Sequence, residues 1–216
     1  MNFFAHAYLA AQRSADAAFV LGAMLPDLCS FAGMRLGAAP AAALGDGVRF
    51  HRATDTVFHA NGAFNARCTQ LADALQARGV RRGPARGVAH VAYELLLDGW
   101  LAAEAGVPAL YRCALGDAAR LLGGSGLAPG ASAGISAVCA RLHAAPVPEA
   151  YADAAFVCAR VERALAPRPV LALTATELSA VADALRDAAT ESALWAPSAL
   201  ASVARALDDE RAKETH

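Results

Sequence analysis

The sequence predicts an all-α fold, and three observations carry that prediction. Almost every segment between its glycines and prolines repeats its apolar residues at a helical period, and none alternates like a half-buried strand. The composition is rich in Ala, Leu and Arg, the strongest helix formers. Finally, 56% of the 216 residues are hydrophobic and 18% charged, which suits a full core without staples. A single domain over residues 1–216, built as a helical bundle of about eight to nine helices, is therefore expected.

The first helix is expected over residues 2–12. Ser14 or Asp16 is placed to cap a second over 17–25, because a short polar side chain there accepts a free N–H of the first turn. Pro26 and the glycine-rich stretch 33–47 then break the pattern. A long helix follows over 46–78, with Val48, Phe50, Val57, Phe58, Phe64, Leu71 and Leu75 on its apolar positions. Gly79 is its expected C-cap. Another helix runs over 84–105 and stops at Gly106 and Pro108. Further helices are expected at 109–122, 132–143, 148–165, 174–189 and 197–213. Thr174 and Glu177 have capping-box spacing, and Pro197 suits the first position of the last helix.

Several classes are disfavoured. A net charge of −1 leaves no basic footprint for nucleic acid and no acidic signature of disorder. The longest uncharged run, residues 121–140, has too much Gly, Ser and Pro for a membrane span. The N-terminus lacks a basic leader region, and its apolar stretch carries His6, so no signal peptide is read there. The five cysteines (Cys29, Cys68, Cys113, Cys139, Cys158) are widely spaced without a Cys-x-x-Cys pair. They read as buried, reduced thiols of a cytoplasmic protein.

The chemistry concentrates before residue 105. Four of the six histidines, His6, His51, His59 and His90, lie there. His51 and Asp55 stand at i,i+4, and on a helix both project from one face. His90 and Glu94 repeat that spacing, and Asp27 follows Pro26 where a helix is expected to end. Mixed imidazole and carboxylate donors suit Zn²⁺, Mn²⁺ or Fe, and helical bundles build such sites from i,i+4 pairs on facing helices. Taken alone, each pair reads as a surface contact; together they make a metal site an even alternative. His6, Asp27, His51, Asp55, His90 and Glu94 are expected around one buried polar site in residues 1–105, with 106–216 a helical C-terminal half. His59 reads equally as a ligand to a second ion or as a surface residue, and His143 and His216 read as surface residues.

Four segments, MNFFAHAYLA, LGAMLPDL, GVRFHRATD and VAYELLL, occur in this order. They resemble the acyl carrier protein phosphodiesterase family over roughly residues 1–105. The resemblance implies an all-helical fold distantly related to the HD phosphohydrolases and a divalent metal, typically manganese. It also implies hydrolysis of a phosphodiester by a metal-activated water, removing the 4′-phosphopantetheine arm from a serine of acyl carrier protein. Carried over by position, His6, Asp27, His51 and Asp55 are the implied ligands, and Arg52 matches the motif arginine.

Two positions depart from that pattern. His90-x-x-x-Glu94-Leu95 stands where the family has Asp-x-x-x-Asp-His, and Phe58-His59 where it usually has Thr-Asp. The donor set shifts toward imidazole, which favours zinc over manganese, and approaches that of the zinc-dependent phospholipases C. The expected function is thus a metal-dependent phosphodiesterase using one ion or two, with Arg52 neutralising a phosphoryl oxygen and Asp55 at the reacting centre. Its substrate would be carried by acyl carrier protein, or would be a phospholipid. The alternatives are a phospholipase C-like hydrolase and a metal-binding helical protein without turnover. Arg78, Arg81, Arg82 and Arg86 read either as a docking surface or as a solvated loop.

Overall fold

The computed structural model describes residues 1–37, 40 and 42–214, with side chains through Asp209. Among these residues every regular element is helical, as the periodicity predicts. In chain order they are α1 (Phe3–Arg13), α2 (Ala17–Phe31), α3 (Ala42–His59), α4 (Gly62–Ala77), α5 (Arg82–Glu104), α6 (Ala109–Gly116), α7 (Ala118–Leu122) and α8 (Pro129–Ala144). A 3-10 turn (Glu149–Ala152), α9 (Ala154–Leu165) and α10 (Ala175–Glu214) complete the chain. No helix among the described residues is long and apolar enough to cross a membrane.

The chain forms two compact units, each drawn from two stretches: Met1–Val57 with Ala105–Pro148, and Phe58–Glu104 with Glu149–His216. In the first, α1 and α2 pack together and against α6, whose Tyr111 ring meets the Phe4 ring edge-on at 5.1 Å. The buried Tyr111 hydroxyl donates to the Val147 carbonyl at 3.2 Å. Two glycines set the crossing of α2 and α3. A Cβ on Gly22 would lie 2.2 Å from the Leu44 carbonyl oxygen, and one on Gly47 would lie 2.2 Å from that of Phe19. Only glycine allows so close an approach, and one turn beyond Gly47 the same helix carries His51.

In the second unit α5 packs against α4, α9, α10 and the 3-10 turn, burying Tyr93, Leu95, Leu96, Leu97 and Leu101. The start of α10 is fixed by the expected capping box. The Thr174 hydroxyl accepts from the Glu177 N–H at 3.2 Å, and a Glu177 carboxylate oxygen accepts from the Thr174 N–H at 2.9 Å. That carboxylate also takes the Arg81 backbone N–H and Nε, each at 2.9 Å, so Arg81 is a structural residue.

Ends set by side-chain chemistry fell as expected. Asp16, rather than Ser14, caps α2 by accepting the Ala18 N–H at 2.8 Å. Beyond α4, Gly79 takes φ +88° while the Val80 N–H returns to the Leu75 carbonyl at 3.0 Å, a Schellman closure.

Other boundaries differ. The helix expected over 46–78 is broken at Asn61, whose side chain accepts the N–H groups of Ala63 and Phe64 and so starts α4. The helix expected over 109–122 is two, α6 and α7. Pro26 lies inside α2 and Pro197 inside α10, where a break and a helix start were expected. A proline costs a helix about 3 kcal/mol, and fully buried neighbours outweigh that: Leu25 and Leu28 in α2, Ala196 and Ala199 in α10. All five cysteines are free thiols, but only Cys29 and Cys139 are buried; Cys68 and Cys158 are half-buried and Cys113 is exposed. His143 is exposed as expected, and His216 lies outside the described residues.

Candidate metal centre

The first group of donors lies in the first unit. His6 comes from α1, Asp27 from α2 and His51 from α3, and one ligand atom from each lies within 4.8 Å of the others. Both histidines are buried, with ring centroids 3.9 Å apart.

Their hydrogen bonds fix which nitrogen carries the proton. His51 Nδ1 lies 2.9 Å from the Ala23 carbonyl, which can only accept, so Nδ1 holds the proton and Nε2 a lone pair. His6 Nδ1 lies 2.8 Å from Thr54 Oγ1. The Thr54 hydroxyl spends its own hydrogen on the backbone carbonyls of Phe50 and His51, so it accepts from His6. His6 Nε2 is thereby a lone-pair donor too, buried and without a hydrogen bond.

Burial holds both imidazoles neutral. It lowers His6 to about 3, against the opposing pull of the Asp55 carboxylate. Burial likewise lowers His51, partly offset by its bond to Ala23. The result is two neutral imidazoles with outer hydrogen bonds fixing their rings, plus one carboxylate. That is how metal-ligating histidines are held, and a cation would satisfy the buried Nε2. The residues fit a divalent ion. The carboxylate of Asp55, half-exposed, stands at the margin: its Oδ1 is 3.7 Å from His6 Nε2 and accepts the Met1 amino group at 3.0 Å. Asp27 sits within α2 rather than past its end.

Those burial effects make a testable statement about acid stability. Between about 3 and the ordinary 6.5, the unfolded chain protonates His6 while the folded chain does not. Stability is therefore full above 6.5 and falls as pH drops toward 3, by up to about 1.4 kcal/mol per pH unit; His51 adds the same sign. Urea titrations of metal-free protein between pH 7 and 5 should show this loss. His6→Asn, which keeps a donor for Thr54 but cannot titrate, should show a shallower one. An equal slope in both proteins would contradict the assignment.

A second group lies in the second unit. His59 from the end of α3, with His90 and Glu94 from α5, bring ligand atoms within 4.8 Å. Both Nε2 atoms approach the same oxygen: His59 to Glu94 Oε1 is 3.5 Å and His90 to Glu94 Oε1 is 3.2 Å. The two rings lie nearly parallel, 4.9 Å apart, and Phe64 meets the edges of both. Asn65, one turn into α4, donates to the His59 carbonyl at 2.9 Å and holds the end of α3 in place.

Of the six side chains expected at one site, His6, Asp27 and His51 fall in the first donor group and His90 and Glu94 in the second, which His59 joins; Asp55 stands 3.7 Å from His6 Nε2 beside the first. Sequence reasoning missed Thr54, fully buried three residues past His51, and the Ala23 carbonyl. A threonine between a helical His and Asp was the available signal; a backbone carbonyl leaves none. Arg52 is exposed, and its guanidinium has no ion-pair partner among the described residues.

No curated protein and no solved structure matches the chain. Residues 1–103 match the family model described as acyl carrier protein phosphodiesterase, so the resemblance read from the opening decapeptide and the His51–Asp55 segment is shown over that stretch, which carries every donor of both groups.

Proposed function

We propose that this protein is a metal-dependent phosphodiesterase acting on acyl carrier protein, releasing its phosphopantetheine arm. The buried pair His6–His51, with both Nε2 atoms left as lone-pair donors beside Asp27, is the observation that carries this reading. His6, Asp27 and His51 would hold one divalent ion, and His59, His90 and Glu94 have the donors for another. An ion bound there supplies Lewis acidity toward a phosphoryl oxygen and makes water a nucleophile near neutral pH. The four imidazoles among the six donors favour zinc over manganese.

The chain's own residues do the rest. Thr54 and the Ala23 carbonyl hold the two rings in one tautomer and orientation. Asp55, half-exposed and 3.7 Å from His6 Nε2, would take the proton that an attacking water releases. Arg52, exposed one residue past His51, would neutralise a phosphoryl oxygen as charge builds on it. The test is incubation of holo acyl carrier protein with the purified protein, with and without added Zn²⁺ or Mn²⁺, read by mass spectrometry. Metal-dependent conversion to the apo form, with phosphopantetheine released, is expected. An unchanged carrier protein under every metal condition would overturn the substrate assignment.

A further inference from the structure

Within the second unit a groove of about 700 Å³ runs along α4 and α5 and is closed on its third side by residues 165–171. On α5 it is lined by residues spaced one turn apart, Arg82, Arg86 and His90, so it ends at a member of the second donor group. Arg168 faces it from beyond α9.

The charge in this groove is unspent. Of the arginines near the junction of α4 and α5, Arg78 pairs with Asp187 and Arg81 with Glu177. Arg82, Arg86 and Arg168 are exposed and have no ion-pair or hydrogen-bonding side-chain partner among the described residues. In a chain of net charge −1 this is a local concentration of positive charge, not a general basicity.

The other lining residues narrow the occupant. None is Phe, Tyr or Trp, so the groove lacks the platforms on which unpaired bases stack. Asp73 on the α4 wall opposes a uniformly anionic backbone. Leu171, partly exposed, adds apolar surface, and Val170 beside it is 78% exposed. Guanidinium groups with aliphatic surface suit a segment that carries carboxylates on one side and apolar residues on another. Arg82 and Arg86 are about 6 Å apart along their helix, the spacing of carboxylates one turn apart on a partner helix.

We propose that this groove is the docking site for an acidic amphipathic helix of a protein partner, with Arg82, Arg86 and Arg168 taking its carboxylates. This rests on the reading above that the donor group ending the groove serves phosphodiester hydrolysis, and names the surface that presents the substrate protein to it.

The test reads binding without turnover. Apo acyl carrier protein, which has no arm to lose, is titrated by fluorescence anisotropy against wild type and the triple variant Arg82→Glu, Arg86→Glu, Arg168→Glu. The control is Arg141→Glu, an exposed arginine of α8 outside the groove. The triple variant should weaken binding at least ~100-fold and flatten its salt dependence, as loss of several interfacial charge pairs does; the control should match wild type. Circular dichroism checks folding, and Arg86→Glu alone, expected to weaken binding about tenfold, carries the test if the triple variant unfolds. Binding within about twofold of wild type in the charge-reversed protein would overturn the proposal. So would absence of carrier-protein binding by wild type, or tighter binding of a single-stranded oligonucleotide through the same arginines. Intact, arginine-dependent binding without hydrolysis of holo carrier protein would leave the docking site standing and sink the hydrolytic reading. Hydrolysis that persists with arginine-independent binding would do the reverse.

Discussion

His51→Ala should abolish metal-dependent hydrolysis, cutting turnover by at least about 10³, because it removes one of two fixed imidazole donors from a three-donor set. The loss should coincide with a fall in bound metal. It should also erase the rise in melting temperature that metal gives the wild type, since an ion that binds only the folded state stabilises it by mass action, about 4 kcal/mol at a thousandfold excess over Kd. Chelated wild type should reproduce the activity loss without the packing loss. A chelator that leaves the wild-type melting temperature unchanged would separate the histidine from any metal.

Arg52→Ala should keep the metal and lose rate. The side chain leaves α3 about 100° away from His51, is exposed, and is held by no carboxylate among the described residues, so its removal breaks no ion pair. Turnover should fall 10²–10³-fold, about the cost of losing one donor to a developing oxyanion. Lysine should rescue in part, because it restores the charge but not the planar fork that matches a phosphate. Equal turnover per folded, metal-loaded molecule in wild type and Arg52→Ala would take the arginine out of the mechanism.

What the sequence made legible was local. The helical period gave the fold class, and spacing alone paired His90 with Glu94, which meet at 3.2 Å. Capping chemistry placed the starts of α2 and α10 because Asp16 and the Thr174–Glu177 box act within one turn. Spacing was less informative for His51 and Asp55. Their shared face does not reveal that Asp27 of α2 comes within 4.8 Å of His6 and His51, because three helices meet there and the close approach of α2 and α3 at Gly22 and Gly47 is a tertiary feature. His59 was ambiguous for the same reason: its neighbours His90 and Glu94 come from another helix. The break at Asn61 was readable in principle, since an Asn-Gly pair inside an apolar pattern punctuates a helix. The continuity through Pro26 and Pro197 was not readable, because only tertiary burial outweighs the proline.

The proposed function stands or falls on whether His6, Asp27 and His51 hold a divalent ion. Elemental analysis of purified wild type beside His6→Ala and Asp27→Ala, after dialysis against a weak chelator, tests it most directly. Stoichiometric metal in wild type and a clear loss in both variants are expected. Metal-free wild type that takes up no ion when zinc or manganese is supplied, or variants that retain the wild-type content, would contradict it.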